Sequence, residues 1–138
     1  MKVHLDINLF MDVLSKRSGW LESVATIRSM KRFGITASVS ALTAAVIYFL
    51  RKRTVGEMRA RTEVKVMLKG IETIPLTWQI IDAALTSQLP DFEDNLQFYS
   101  AKEVKADYII TRNKKHFKQD EIPVVTPDEF LKIIGILK

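Results

Sequence analysis

Three clusters of side chains in this sequence could do chemistry. The first is Asp6 with Asn8, where a short apolar run from Val3 to Asp6 gives way to Phe10, Val13 and Leu14 at helical spacing. A carboxylate at that junction either ligates a metal ion or caps the helix that follows, and Asp is a favoured cap. Asn8 can do either job. The second is Asp91-Phe92-Glu93-Asp94. Asp91 and Asp94 stand at the spacing of a capping box, and acids in a first turn complement the helix dipole. If Asp94 faces the same crevice as Asp6, the site is all oxygen, and hard oxygen ligands select Mg²⁺ or Mn²⁺ over zinc. The third is the basic stretch Thr111-Arg112-Asn113-Lys114-Lys115-His116-Phe117. It is either a solvated loop or a phosphate-contacting one, with Arg112, Lys114 and Lys115 as the cations.

Composition narrows the alternatives. The chain has 138 residues, 47% hydrophobic and 27% charged, enough for one domain spanning 1–138 with a core of its own. The absence of cysteine excludes disulfide scaffolds, thiolate zinc sites and cysteine nucleophiles. A net charge of +5 modestly favours a polyanionic partner. The longest apolar stretch, Ala41 to Leu50, is too short to span a bilayer, and Asp6 falls where a signal peptide would need apolar residues, so a cytoplasmic protein without membrane contact is expected. No Gly-x-Gly-x-x-Gly, Walker loop or Gly-x-Ser-x-Gly occurs, and His4 and His116 are too few for a typical zinc enzyme. A receiver-like phosphoacceptor is also disfavoured, because the run Ile71 to Ile74 leads into Pro75 rather than an Asp.

The elements that must position these clusters alternate. Short apolar runs at Val3–Asp6, Ile35–Ser38, Ile71–Ile74, Asp107–Ile110 and Pro123–Val125 read as strands, separated by helical patterns. Trp20, Val24, Ile27 and Met30 mark an amphipathic helix, and Ser40 to Lys52 is apolar nearly all round, which predicts a central helix. Thr54-Val55-Gly56-Glu57 predicts a capping box opening the next helix, and Thr126-Pro127-Asp128-Glu129 another. Trp78, Ile81 and Leu85 are expected on the buried face of a helix over Thr77–Gln88. Alternating strands and helices argue for an α/β fold, a parallel sheet covered on both faces, with ligands bound beyond the carboxyl ends of its strands. That rule points at Asp6, Asn8, Ser38, Ser40 and the Thr111 loop.

Three stretches, in order and over nearly the whole chain, resemble the PIN domain family. Leu5-Asp6-Ile7-Asn8-Leu9-Phe10-Met11-Asp12 resembles its opening Leu-Asp-Thr-Asn-x-x-x-Asp. Asp91-Phe92-Glu93-Asp94-Asn95-Leu96-Gln97-Phe98-Tyr99-Ser100-Ala101 and Ala106-Asp107-Tyr108-Ile109-Ile110-Thr111-Arg112-Asn113-Lys114-Lys115-His116-Phe117 resemble its two later segments. The resemblance implies a three-layer α/β sandwich with a central, mostly parallel sheet of about five strands. It implies a Mg²⁺- or Mn²⁺-dependent endoribonuclease of the VapC toxin kind, with RNA as substrate, a small antitoxin as partner and a homodimer as a common assembly. By position, Asp6 and Asp94 match metal-binding catalytic acids, Asp91 is a third ligand or only a cap, and Asn8 supports the first acid.

The chain also departs from the family pattern. An acid usual on the helix after the second strand falls at about Ala45, and many relatives carry Asp where Asn113 or His116 stands here. Fewer carboxylates weaken Mg²⁺ binding, since ligand charge offsets the cost of dehydrating the ion. His116 and Asn113 are then supporting groups rather than the usual oxygen ligands. The alternative reading is a PIN-like module with weak or absent catalysis that binds RNA or a protein.

Overall fold

A computed structural model describes residues 1–138. Five strands, β1 (Lys2–Leu5), β2 (Thr36–Ser40), β3 (Glu72–Ile74), β4 (Tyr108–Ile110) and β5 (Val124–Val125), form one sheet in the order β3-β2-β1-β4-β5. All neighbours are parallel, including His4 beside Ser38 and Ile109, and Ile110 beside Val125. Seven helices connect or flank them: α1 (Ile7–Ser15), α2 (Trp20–Arg32), α3 (Ala41–Val55), α4 (Glu57–Met67), α5 (Trp78–Thr86), α6 (Phe92–Glu103) and α7 (Pro127–Ile133). The chain steps outward from β1 to β3, then returns past β1 to lay down β4 and β5. The strand order therefore reverses beside the central strand β1. In an open parallel sheet that switch point is where a crevice forms outside the carboxyl ends.

Side chains alternate across the sheet. Val3 and Leu5 of β1, Ala37 and Val39 of β2 and Ile110 of β4 face the larger core, with Phe10, Met30, Ile47 and Phe130. The opposite face carries Ile109 and Ile74 against α5 and α6 through Phe98, Ala101, Ile80, Ala84 and Leu96. His4, on that second face, is fully buried beside Ser38, Nδ1 to Oγ 3.2 Å.

Side-chain caps set several helix starts. Ser40 accepts from the amide of Leu42, and Thr77 from that of Ile80. At Thr126 both halves of the expected capping box form, with Pro127 at the first helical position. The expected box at Thr54 does not form. Thr54 lies inside α3, Gly56 (φ +84°) separates α3 from α4 without a side-chain cap, and Glu57 instead holds Arg61 at 2.7 Å. A positive φ with extended ψ is a conformation open mainly to glycine, and it lets the chain break from α3 into α4 at this point.

Two further expectations are corrected. The apolar helix α3 is not central: it buries only Thr43, Ile47 and Arg51, and leaves Phe49 62% exposed. The helix buried most nearly all round is α6, which buries Asn95, Leu96, Gln97, Phe98, Ser100 and Ala101 between the sheet and α5. On α5 the buried pair is Ile80 and Ala84, while Trp78 and Leu85 point outward. No helix is long and apolar enough to cross a membrane.

Candidate active site

Asp6 ends β1 at the switch point. It occupies the N-cap position of α1, yet its side chain makes no capping hydrogen bond. Its carboxylate turns instead into the interior and receives three donors. Gln97 Nε2 donates to Oδ1 at 2.9 Å, Thr111 Oγ1 to Oδ2 at 2.7 Å and Asn8 Nδ2 to Oδ2 at 3.2 Å. The backbone N–H of Asp6 donates to Ile110 O at 3.0 Å, which locks the residue to β4. The capping role proposed from sequence is thus not the one this side chain plays. A carboxylate oxygen has about two acceptor positions. Oδ2 has both occupied, and Oδ1 keeps one free.

Asp6 and Asn8 line a cleft of about 400 Å³ with Arg17, Asp91, Glu93, Asp94 and His116. Ile7 and Met11 of α1 and Val46 and Leu50 of α3 supply its apolar lining. The structure therefore brings the acids of the late helix to Asp6. Asp91 caps α6, accepting the Asp94 amide on Oδ1 at 2.9 Å, and its other oxygen is not used by the cap. Asp94, three residues on, reaches inward. Burial, with the charges of Asp91 and Asp6, pushes its carboxyl up to about 6, and His116 opposes that rise. His116 Nδ1 lies 4.0 Å from Asp94 Oδ2. Glu93 is raised as well, first by burial and then by Asp91 and Asp6. The cleft thus gathers more negative charge than its own cations neutralise.

That excess is the observation against which a divalent ion can be tested. No three acidic or histidine side chains converge closely enough to cage an ion by themselves. Mg²⁺ does not require such a cage, since it is commonly held by one or two carboxylates plus water. Asp6 and Asp94, with Asp91 at the rim, supply oxygen donors only, and a positive charge between them would favour the ionised Asp94 that burial and the neighbouring acids disfavour. Carboxylate oxygens of this kind suit hard ions such as Mg²⁺ and Mn²⁺. Ala45 is exposed on α3 and outside the cleft lining, so it offers no donor in place of the missing acid.

The basic loop is placed differently from a free cationic arm. Arg112 turns back on α1, its Nε 3.4 Å from Asp12 Oδ2 and its Nη1 donating to Ser18 O. Gly19 (φ +82°) sits beneath this guanidinium, where any Cβ would collide with it. Lys114 Nζ pairs with Glu129 at 3.1 Å, and Lys115 is exposed. Asn113 is exposed, and its backbone N–H donates to Thr111 Oγ1 at 3.0 Å. Thr111 therefore links the loop to Asp6.

Gln97, Asp12 and Arg17 went unassigned from sequence. A signal for Gln97 exists: it lies three residues after Asp94, the spacing that puts two side chains on one helix face. For Arg17, in a turn between helices, no periodicity points to the cleft.

The fold matches VapBC2 from Rickettsia felis, solved bound to a DNA fragment from its promoter, at a TM-score of 0.72 and 13% identity over 91% of this chain and 98% of that one. A toxin–antitoxin complex from Klebsiella pneumoniae matches at 0.66 and 22% identity, over 91% and 97%. VapC20 of Mycobacterium tuberculosis, a sarcin-ricin loop cleaving toxin, matches at 0.63 and 10% identity, over 78% and 86%. At these identities the likeness is one of fold. No curated protein matches the chain. The sequence profile of the PIN domain matches residues 2–115, a span that holds Asp6, Asp94 and the basic loop through Lys115. By that match the chain belongs to the PIN domain family.

Proposed function

We propose that this chain is a metal-dependent endoribonuclease of the VapC toxin kind. The observation that carries the reading is Asp6: a buried carboxylate at the switch point, oriented by Gln97, Thr111 and Asn8, and opening on the same cleft as Asp94. Asp6 and Asp94 would hold Mg²⁺ or Mn²⁺, with Asp91 at the rim. The chemistry such an ion supplies is charge neutralisation at the scissile phosphodiester and acidification of the attacking water. Asp6 is kept in one orientation by donors from three elements, so little reorganisation is needed when the ion binds. Asp94, with its carboxyl at about 6, gives up its proton readily at neutral pH.

Solved relatives of this fold are VapBC complexes, which supports a small antitoxin as partner. RNA as substrate is supported by the cleaving toxin among those relatives. A homodimer would cover Phe49 and Leu50, exposed on α3. A cytoplasmic location belongs to the same reading.

A second reading has its own observation. With no third converging ligand and alanine at position 45, the site has fewer carboxylates than the family pattern. This favours a module that binds RNA with little catalysis. Asp94→Asn separates the two. The enzyme reading expects Mn²⁺-dependent cleavage of a mixed-sequence RNA by the wild type, lost in the variant. The binding reading expects no cleavage by either and salt-sensitive RNA binding by both.

A further inference from the structure

Asp12, on α1, is buried and serves two arginines that it treats unequally. Arg112 is tied down: its Nε faces Asp12 Oδ2, its Nη1 donates to Ser18 O, and Gly19, having no side chain, leaves the room its guanidinium fills. Arg17 has one long contact, Nη1 to Asp12 Oδ1 at 4.0 Å, and its side chain is 51% exposed. A guanidinium presents five N–H donors in a planar fork. In Arg17 that fork is left almost wholly free.

The backbone puts it in the cleft. Lys16 ends α1 in the left-handed conformation (φ 49°, ψ 46°), and the N–H of Arg17 then donates to Asp12 O at 3.0 Å. The chain folds back over the end of α1, and Arg17 becomes the one Lys or Arg side chain lining the cleft with Asp6 and Asp94. Lys114 pairs with Glu129 and lines no part of it. A nucleic acid entering a cleft rimmed by four acids meets repulsion unless a cation faces its backbone.

We propose that Arg17 is the substrate-phosphate contact of this site, one Nη of its guanidinium drawn toward Asp12 and the rest of the fork open to the cleft, while Arg112 serves to anchor the loop and α1 together. The inference rests on the reading of the cleft as the place where RNA enters. It reverses the assignment that loop position alone suggests, in which Arg112 steers RNA.

The test is binding of a fluorescent mixed-sequence RNA in EDTA across a salt series, with unfolding midpoints and Mn²⁺ cleavage measured on the same preparations. Arg17→Gln is expected to weaken binding roughly tenfold at low salt, as loss of a charge-assisted fork does. The slope of log affinity against log salt should shrink by about 0.7, one phosphate contact on a single strand. Its unfolding midpoint should hold. Arg17→Lys should keep the slope and bind severalfold more weakly, since an ammonium is a point charge without the fork. Arg112→Gln should lower the unfolding midpoint and leave the slope unchanged. Wild-type affinity and slope in Arg17→Gln would overturn the inference. If Arg17→Gln does not fold, wild-type affinity in Arg17→Lys would overturn it instead. Wild-type protein that binds RNA without cleaving it defeats the catalytic reading while the slopes still decide on Arg17; wild-type protein that binds no RNA overturns both.

Discussion

Asp6 fills about three of four acceptor positions with donors from α1, α6 and the end of β4. Of these, Gln97 is the most instructive. Its Nε2 serves Asp6, while its Oε1 is buried without a partner. An amide that tolerates an orphaned acceptor is there for its donor. Gln97→Met, of similar shape, removes both the donor and the orphan. Stability should fall by about 1–2 kcal/mol, because the buried Asp6 Oδ1 loses its one donor, and the departure of the orphaned Oε1 offsets only part of that. Mn²⁺ affinity and RNA cleavage should fall by about 10–100-fold, the usual cost of losing a group that orients a ligand. Titration calorimetry with Mn²⁺ beside a cleavage assay checks both. Asp6 and Asp94 were legible as candidates because a strand end and a helix start are visible in pattern. The roles were not. Whether Asp6 caps α1 or faces inward depends on Gln97 and Thr111, which lie about a hundred residues away in the chain.

At the scale of elements, strand and helix order was readable because runs of apolar residues and turn signals are local. Burial was less so. The apolar pattern of Ala41 to Leu50 predicts a central helix, yet the helix sandwiched between sheet and neighbour is α6. It buries Asn95, Gln97 and Ser100 because each finds a partner. Asn95 donates to Leu89 O at 3.0 Å and to Ala84 O at 3.3 Å, and Ser100 to Leu96 O at 2.8 Å. Hydropathy cannot register partners of that kind. A buried ion pair holds α3 against α4: Arg51 donates to Glu63 twice, at 2.7 and 3.0 Å. The sequence places Arg51 in a basic run that looks like solvent-facing dipole partners, but it is a packed residue. Glu63→Gln removes the counter-charge of a guanidinium at the edge of the core and should cost about 1–2 kcal/mol. Arg51→Met with Glu63→Leu should recover most of the loss, which urea denaturation of the single and double variants would reveal.

For the whole molecule, the sheet order places β1 at the centre, so its buried polar residues bear on the stability of everything around it. His4 is fully buried, and burial lowers its pKa from 6.5 to about 4. The folded state therefore resists a proton that the unfolded chain accepts. Stability from this group is intact above pH 6.5, declines as pH falls between 6.5 and about 4, and levels off below. Between about pH 7.5 and pH 5 wild type should lose about 2 kcal/mol more than His4→Val does, a difference that cancels the opposite contribution of the raised Asp94 carboxyl and is read from urea midpoints at the two pH values. The overall α/β topology was legible because parallel strands and crossover helices follow few routes. The cleft's composition was not, because Arg17 enters it through a left-handed turn that sequence periodicity does not report. The central claim is that Asp6 anchors a metal-dependent cut of RNA. It is tested most directly by cleavage of a mixed-sequence RNA with Mn²⁺ or with EDTA, wild type beside Asp6→Asn. Cleavage by the wild type in Mn²⁺, none in EDTA and a loss of about a hundredfold or more in the variant are expected. Equal cleavage by a folded Asp6→Asn protein, or none by the wild type in Mn²⁺, would contradict it.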